Sequence, residues 1–166
     1  MGKFVALLLL LSSHSVMATE EYIRYGIGVS HSGEGATKVV GIGTSDKLLP
    51  GERFSFLAYQ FEGGYWFDTQ ASKGRKSSGY GSAEVGMKVH AGPFAMSSFH
   101  GPGFITATDS FLGSIPQFFH DVNLGLEDDR NGATISVGYK HISNAGLFSK
   151  INRGRDFMTI KLSVPW

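Results

Sequence analysis

His141 and Ser143 stand two residues apart late in the chain, and Asp156 follows a short way on. A serine, a histidine and a carboxylate are the parts of a nucleophile activated by a base that a third group orients. Their spacing fits an extended backbone, in which alternate side chains share a face. If residues 132–143 form a strand, Ala133, Ile135, Val137, Tyr139, His141 and Ser143 lie together. Two residues along a strand is roughly 6.6 Å, a distance an imidazole spans to reach a hydroxyl. In the closing run Met158, Ile160, Leu162, Val164 and Trp166 form the apolar set, and counting back by two puts Asp156 on the same side. One apolar surface therefore carries the acid, the base and the nucleophile.

What must position them follows from composition. The chain has 166 residues, 23 glycines, no cysteine and a formal net charge of +1. That describes one domain rich in turns, without disulfides or a lipidated cysteine. Near-neutral charge and the absence of a basic run exclude nucleic acid as an expected partner. Lys3 precedes an apolar run over 4–11, and Val16-Met-Ala18 offers small residues at the positions a signal peptidase reads. Residues 1–18 are therefore expected to be a cleaved secretory signal peptide, with 19–166 as the mature domain. The run is well short of the roughly 18 apolar residues of a spanning helix. A membrane protein with this sequence has to be a closed barrel.

Alternation of period two supplies the strands. Residues 22–31 alternate cleanly, 36–44 less so, and 53–67 is long and aromatic with Gly63-Gly64 expected as a bulge or kink. Residues 79–91 give the clearest pattern, with Ala83, Val85, Met87 and Val89 against Ser82, Glu84, Gly86 and Lys88. A strand over 94–108 is interrupted by Gly101-Pro-Gly103, and 117–126 resumes the pattern before Asn131-Gly132, a hairpin signal. With 132–143 and the closing run the count is eight. Eight such runs predict an all-β fold, an eight-stranded antiparallel transmembrane β-barrel, with a soluble sandwich as the rival. In the barrel Arg24, Glu62, Glu84, Lys88, Asp121, Lys140 and Lys161 point inward and pair in a filled lumen. Tyr65, Trp66, Phe118 and Trp166 are expected in the interfacial girdle.

With both ends in the periplasm, the connections at 32–35, 69–78, 109–116 and 144–154 lie outside the cell. Lys73, Arg75, Lys76, Lys150, Arg153 and Arg155 fall in these connections or at their edge, where they suit an anionic, phosphorylated surface. The His/Ser/Asp cluster would sit near the outer rim facing lipid, a costly place for ionisable groups and hence a candidate functional site. His31, His90, His100 and His120 show no metal-ligand spacing; His90 reads as a lumen residue and the others as rim or loop residues. Neither a metal nor a cofactor is expected.

The segment His141-Ile-Ser143-Asn144-Ala145-Gly146, followed by Asn152-Arg-Gly154-Arg-Asp156 and a strand ending Pro165-Trp166, resembles the C-terminal motifs of the lipid A 3-O-deacylase (PagL) family of outer-membrane barrels. The resemblance implies that Ser143 is the nucleophile, His141 the general base and Asp156 the group that orients the histidine. It gives Asn152 the oxyanion role, with a backbone N–H near Gly146 as a second donor. It implies hydrolysis of the 3-position acyl ester of lipid A in lipopolysaccharide, in the Gram-negative outer membrane, with Lys150, Arg153 and Arg155 as phosphate contacts, and leaves room for a homodimer. Two departures stand out: the family has a glutamate where this chain has Asp156, and the stretch between Gly146 and Asn152 is one residue longer. They keep open the alternative of a non-catalytic small outer-membrane barrel, structural or adhesin-like, with a degenerate site.

Overall fold

The computed structural model describes residues 20–29, 37–47, 54–68 and 74–165; the expected signal peptide, His31, Lys73 and Trp166 lie outside the described residues. Eight strands follow one another: β1 (Glu20–Gly28), β2 (Thr37–Lys47), β3 (Phe54–Asp68), β4 (Ser78–Ala91), β5 (Phe94–Ile105), β6 (Pro116–Glu127), β7 (Thr134–Ser143) and β8 (Arg155–Pro165). Each pairs with its neighbour, and β8 pairs antiparallel with β1 to close the barrel. Closure removes the sandwich rival. It also gives each strand two partners for its N–H and C=O groups, which a lipid environment demands.

Burial alternates as the sequence does. On β6 the residues Gln117, Phe119, Asp121 and Asn123 are buried, whereas Val122, Leu124 and Leu126 are exposed. The apolar set of every strand faces outward, so the molecule wears its greasy residues outside and its charges inside. All seven charges expected inward are buried.

They are buried as a network. Arg24 pairs with Asp121 and lies 3.2 Å from Glu62, and Lys140 reaches Glu62 at 3.3 Å and Glu84 at 3.5 Å. Glu62 also accepts hydrogen bonds from Tyr22 at 2.9 Å and Tyr80 at 2.5 Å, and Gln60 donates to Asp121 at 3.0 Å. Below them Lys88 holds Glu20 at 2.5 Å. Above them lies an apolar layer that includes Trp66, Ile105, Leu112, Phe119, Ile142 and Phe157. Here "above" means toward the end that carries the β1–β2, β3–β4, β5–β6 and β7–β8 connections, the upper end. The lumen is packed through its middle and upper part.

Three local expectations fail for physical reasons. Gly63 and Gly64 make no bulge: both stay in register with β2 and β4, and the shift falls between Ser55 and Ala58. A Cβ on Gly64 would sit 2.5 Å from the Tyr80 ring, so the glycine makes room for an inward tyrosine. β5 runs unbroken through Gly101-Pro-Gly103: the β6 ladder pairs all three, and the β4 ladder skips only Gly101 and Pro102, which has no N–H to donate, and resumes in the same register at Val85. Trp66 is not a girdle residue. It lies inside, 0 % exposed, donates to the Lys76 carbonyl at 2.9 Å and stacks on Tyr80.

Removing one charge of the lumen network leaves its partners buried and uncompensated, which costs about 3–5 kcal/mol. Asp121→Ala is therefore expected to lower the urea midpoint of the folded barrel in detergent, read as the loss of heat-modifiable gel migration. An unchanged midpoint would show that the network contributes nothing.

Candidate active site

The outward faces of β7 and β8 are apolar until their upper ends. Ile135 and Val137 on β7 and Leu162, Ile160 and Met158 on β8 give way to Tyr139, His141, Ser143 and Asp156. The β7–β8 register sets His141 directly opposite Asp156. Their side chains meet at 2.6 Å between Nδ1 and Oδ1, and the Tyr139 hydroxyl donates to the same carboxylate oxygen. Asp156 is the less exposed of the pair, its side chain 14 % accessible against 30 % for His141. A carboxylate accepting from Nδ1–H leaves the lone pair on Nε2, the tautomer a general base needs.

Ser143 ends β7 two residues beyond His141 on the same face and is buried. Among the described residues no hydrogen bond joins its hydroxyl to the imidazole, a bond that in unliganded hydrolases often tightens only with substrate. Phe118 stands opposite Ser143 on β6 and stacks on Phe148 of the following loop, with ring centroids 6.3 Å apart. The serine therefore sits beside an aromatic wall.

The loop over residues 144–154 is held by Asn144, which is fully buried. Its N–H donates to Asn152 Oδ1 at 2.8 Å, its side-chain amide donates to the Ile151 carbonyl at 3.1 Å, and its Oδ1 accepts the Gly146 N–H at 2.8 Å. The Asn144 carbonyl accepts the Leu147 N–H at 3.0 Å across a turn in which Ala145 and Gly146 both have positive φ, 53° and 72°. Residues 151–153 also pair with the β5–β6 connection, Gly113 N–H to Ile151 O and Arg153 N–H to Phe111 O, each 3.0 Å. Two upper connections are thus fastened together around the serine.

These contacts bear on three of the expected residues, and two of them change role. Asn152 has its carboxamide oxygen held by Asn144, so its NH₂ remains the donor end. The Gly146 N–H is already engaged by the Asn144 side chain and is not an oxyanion donor; the glycine is there for the turn. Arg155 is not a surface phosphate contact. It is the first residue of β8, one position from outward-facing Asp156, so it points inward, pairing with Asp109 and, at 2.9 Å, with Asp68. Lys150 and Arg153 are exposed on the loop.

Sequence reasoning missed four contributors. Tyr139 was legible as the residue two before His141 on its face. Asn144 gave no signal beyond its place in the motif. His100 and His120, expected at the rim or in loops, lie within β5 and β6 on the outward face, opposite one another and next to His141. The signal was a histidine inside an otherwise apolar alternation.

Gly154 completes the cradle. Its φ is +73°, and a Cβ there would lie 2.7 Å from His141 Cε1. Gly154→Ala is expected to swing the imidazole off Asp156, erasing the low-field Nδ1 proton resonance while heat-modifiable migration persists. Retention of that resonance would show that the ring tolerates the methyl group.

A family model described as lipid A 3-O-deacylase (PagL) matches residues 47–165. The crystal structure of the outer membrane enzyme PagL superposes with a TM-score of 0.61 at 18% identity, covering 87% of this chain and 99% of that one. That of Neisserial surface protein A (NspA) superposes at 0.64 with 10% identity, covering 90% and 97%. At such identities the two structures speak for the eight-stranded barrel alone. No curated protein sequence matches.

Proposed function

Because the chain belongs to the lipid A 3-O-deacylase (PagL) family, we propose that it is an outer-membrane serine esterase that hydrolyses the acyl ester at the 3 position of lipid A. The observation that carries the reading is the 2.6 Å pair between His141 and Asp156, on the membrane-facing surface and two residues from Ser143. An acid and base on that surface are costly unless used.

The geometry of these residues supports the following steps. Ser143 Oγ attacks the ester carbonyl as His141 Nε2 takes its proton, and Asp156 stabilises the imidazolium that forms. The Asn152 NH₂, aimed by the Asn144 N–H at its oxygen, donates to the tetrahedral oxyanion. One such donor is worth about 3–4 kcal/mol. Collapse breaks the ester bond, His141 returns the proton to the departing sugar oxygen, and water then hydrolyses the acyl-enzyme. A lipid substrate reaches this face by lateral diffusion, so no pocket inside the barrel is needed.

In this reading residues 1–18 are removed during export, the upper end lies outside the cell, and Lys150 and Arg153 meet lipid A phosphates. The non-catalytic alternative drew its force from the aspartate that replaces a glutamate and from the loop that is one residue longer. Direct opposition of His141 and Asp156 across the ladder makes the shorter side chain long enough, which favours the enzyme.

Mass spectrometry of lipid A from cells expressing wild type is expected to show loss of one acyl group, and Ser143→Ala is expected to leave lipid A intact. Asp156→Asn is expected to slow hydrolysis by about 10⁴-fold. Unmodified lipid A in cells whose wild-type barrel is folded in the outer membrane would favour the scaffold. The double variant Lys150→Ala/Arg153→Ala is expected to raise KM several-fold with kcat retained, whereas Arg155→Ala should lower the urea midpoint. Equal effects of the two on KM would remove the distinction drawn between them.

A further inference from the structure

Next to the His141–Asp156 pair the outward surface carries a second hydrogen-bonded row. Ser98 Oγ lies 3.1 Å from His100 Nε2, and His100 Nδ1 lies 2.7 Å from His120 Nδ1. His120 stands directly opposite His141, their ring centroids 6.0 Å apart. Both nitrogens of His100 are therefore engaged, while His120 Nε2 has no hydrogen-bond partner among the described residues. Among those residues no group of three or more His, Cys, Asp or Glu side chains is arranged to hold a metal ion.

Two tautomers satisfy the row equally. With the Ser98 hydroxyl donating, protons point toward β7 and His120 Nε2 is a donor; with all of them reversed it is an acceptor. Either way one free imidazole nitrogen, fixed by two partners behind it, lies on a surface where unpaired polar atoms are expensive. It is matched to a hydroxyl, which can accept or donate.

The position of that nitrogen says which hydroxyl. His120 is the diagonal neighbour of Ser143 across the β6–β7 pair, about 7–8 Å between Cα atoms and within reach of a long side chain. An acyl chain whose carbonyl is at Ser143 has two ways down the barrel. The β7–β8 side is occupied by the bonded Tyr139, His141 and Asp156 side chains. The β6–β7 seam is open and apolar below His120, with Val122 opposite Tyr139 and Leu124 opposite Val137. A chain taking that seam passes His120 first, with its third carbon two carbon–carbon bonds, about 2.5 Å, past the carbonyl.

We propose that His120, oriented by His100 and Ser98, is a specificity residue that hydrogen-bonds a hydroxyl on the third carbon of the acyl chain to be released. This rests on the esterase reading of Ser143 and deepens it. The selection is made in the plane of the membrane, by the chain and not by the headgroup.

The test uses purified full-length protein in mixed micelles and two synthetic glucosamine-phosphate esters that differ only in the 3-hydroxyl of the ester-linked chain. Wild type is expected to favour the hydroxylated ester in kcat/KM by about tenfold, the worth of one hydrogen bond. In His120→Phe that ratio should fall toward one, and in His120→Gln, which keeps a donor and an acceptor, it should stay near the wild-type value. A wild type without preference, or a His120→Phe enzyme with the wild-type ratio, including one slowed equally on both esters, overturns the proposal. Hydrolysis of either ester by Ser143→Ala overturns the esterase reading itself, and folded wild type inactive on both removes the two together.

Discussion

A sheet that crosses a lipid layer has to close, since every peptide N–H and C=O it leaves open faces hydrocarbon. Eight strands closing through β8 and β1 make a narrow barrel, and narrowness dictates much of the rest. Inward positions are scarce, so glycines on β2 and β3 give their space to Tyr22 and Tyr80. Charges that arrive inside must be paired, and Arg24, Glu62, Asp121, Lys140 and Glu84 are. The outward face is left apolar, which makes its polar cluster conspicuous. The register that pairs His141 with Asp156 belongs to the same constraint: a slip of one residue between β7 and β8 would change the faces and bring an inward residue opposite the imidazole.

Strands alone place the acid and base but not the donors around them. That task falls to the connection after β7, where one buried asparagine satisfies three backbone or side-chain groups and thereby fixes both the turn at Ala145-Gly146 and the orientation of Asn152. The second fastening, to the β5–β6 connection, ties that loop to a neighbour. Rigid strands and a stapled loop are what a preorganised site requires.

Much of this was legible from alternation. Period two located all eight strands and put the seven lumen charges inside, and it gave His141, Ser143 and Asp156 one face. The failures came where alternation was not followed through or where neighbours across the sheet decide. Arg155 groups with the loop cations in sequence although the connection is bounded at residue 154; as the first residue of β8, next to outward Asp156, it is sent inward by parity. Trp66 shares the parity of inward Glu62, and its aromatic character alone had suggested the girdle. The roles of Gly64 and Gly154 depend on Tyr80 and His141, residues on other strands, which no local pattern contains. The row Ser98, His100 and His120 likewise exists only once β5, β6 and β7 are in register.

The packed interior has a consequence for the cell envelope. Among the described residues an apolar layer lies over a paired charged one, so side chains fill the space that in a wider barrel would be channel. A barrel filled in this way is expected to offer ions and small solutes no route, so that added copies add neither electrical conductance nor osmotic leak. A cell can raise its abundance without weakening the permeability barrier of the membrane in which it sits.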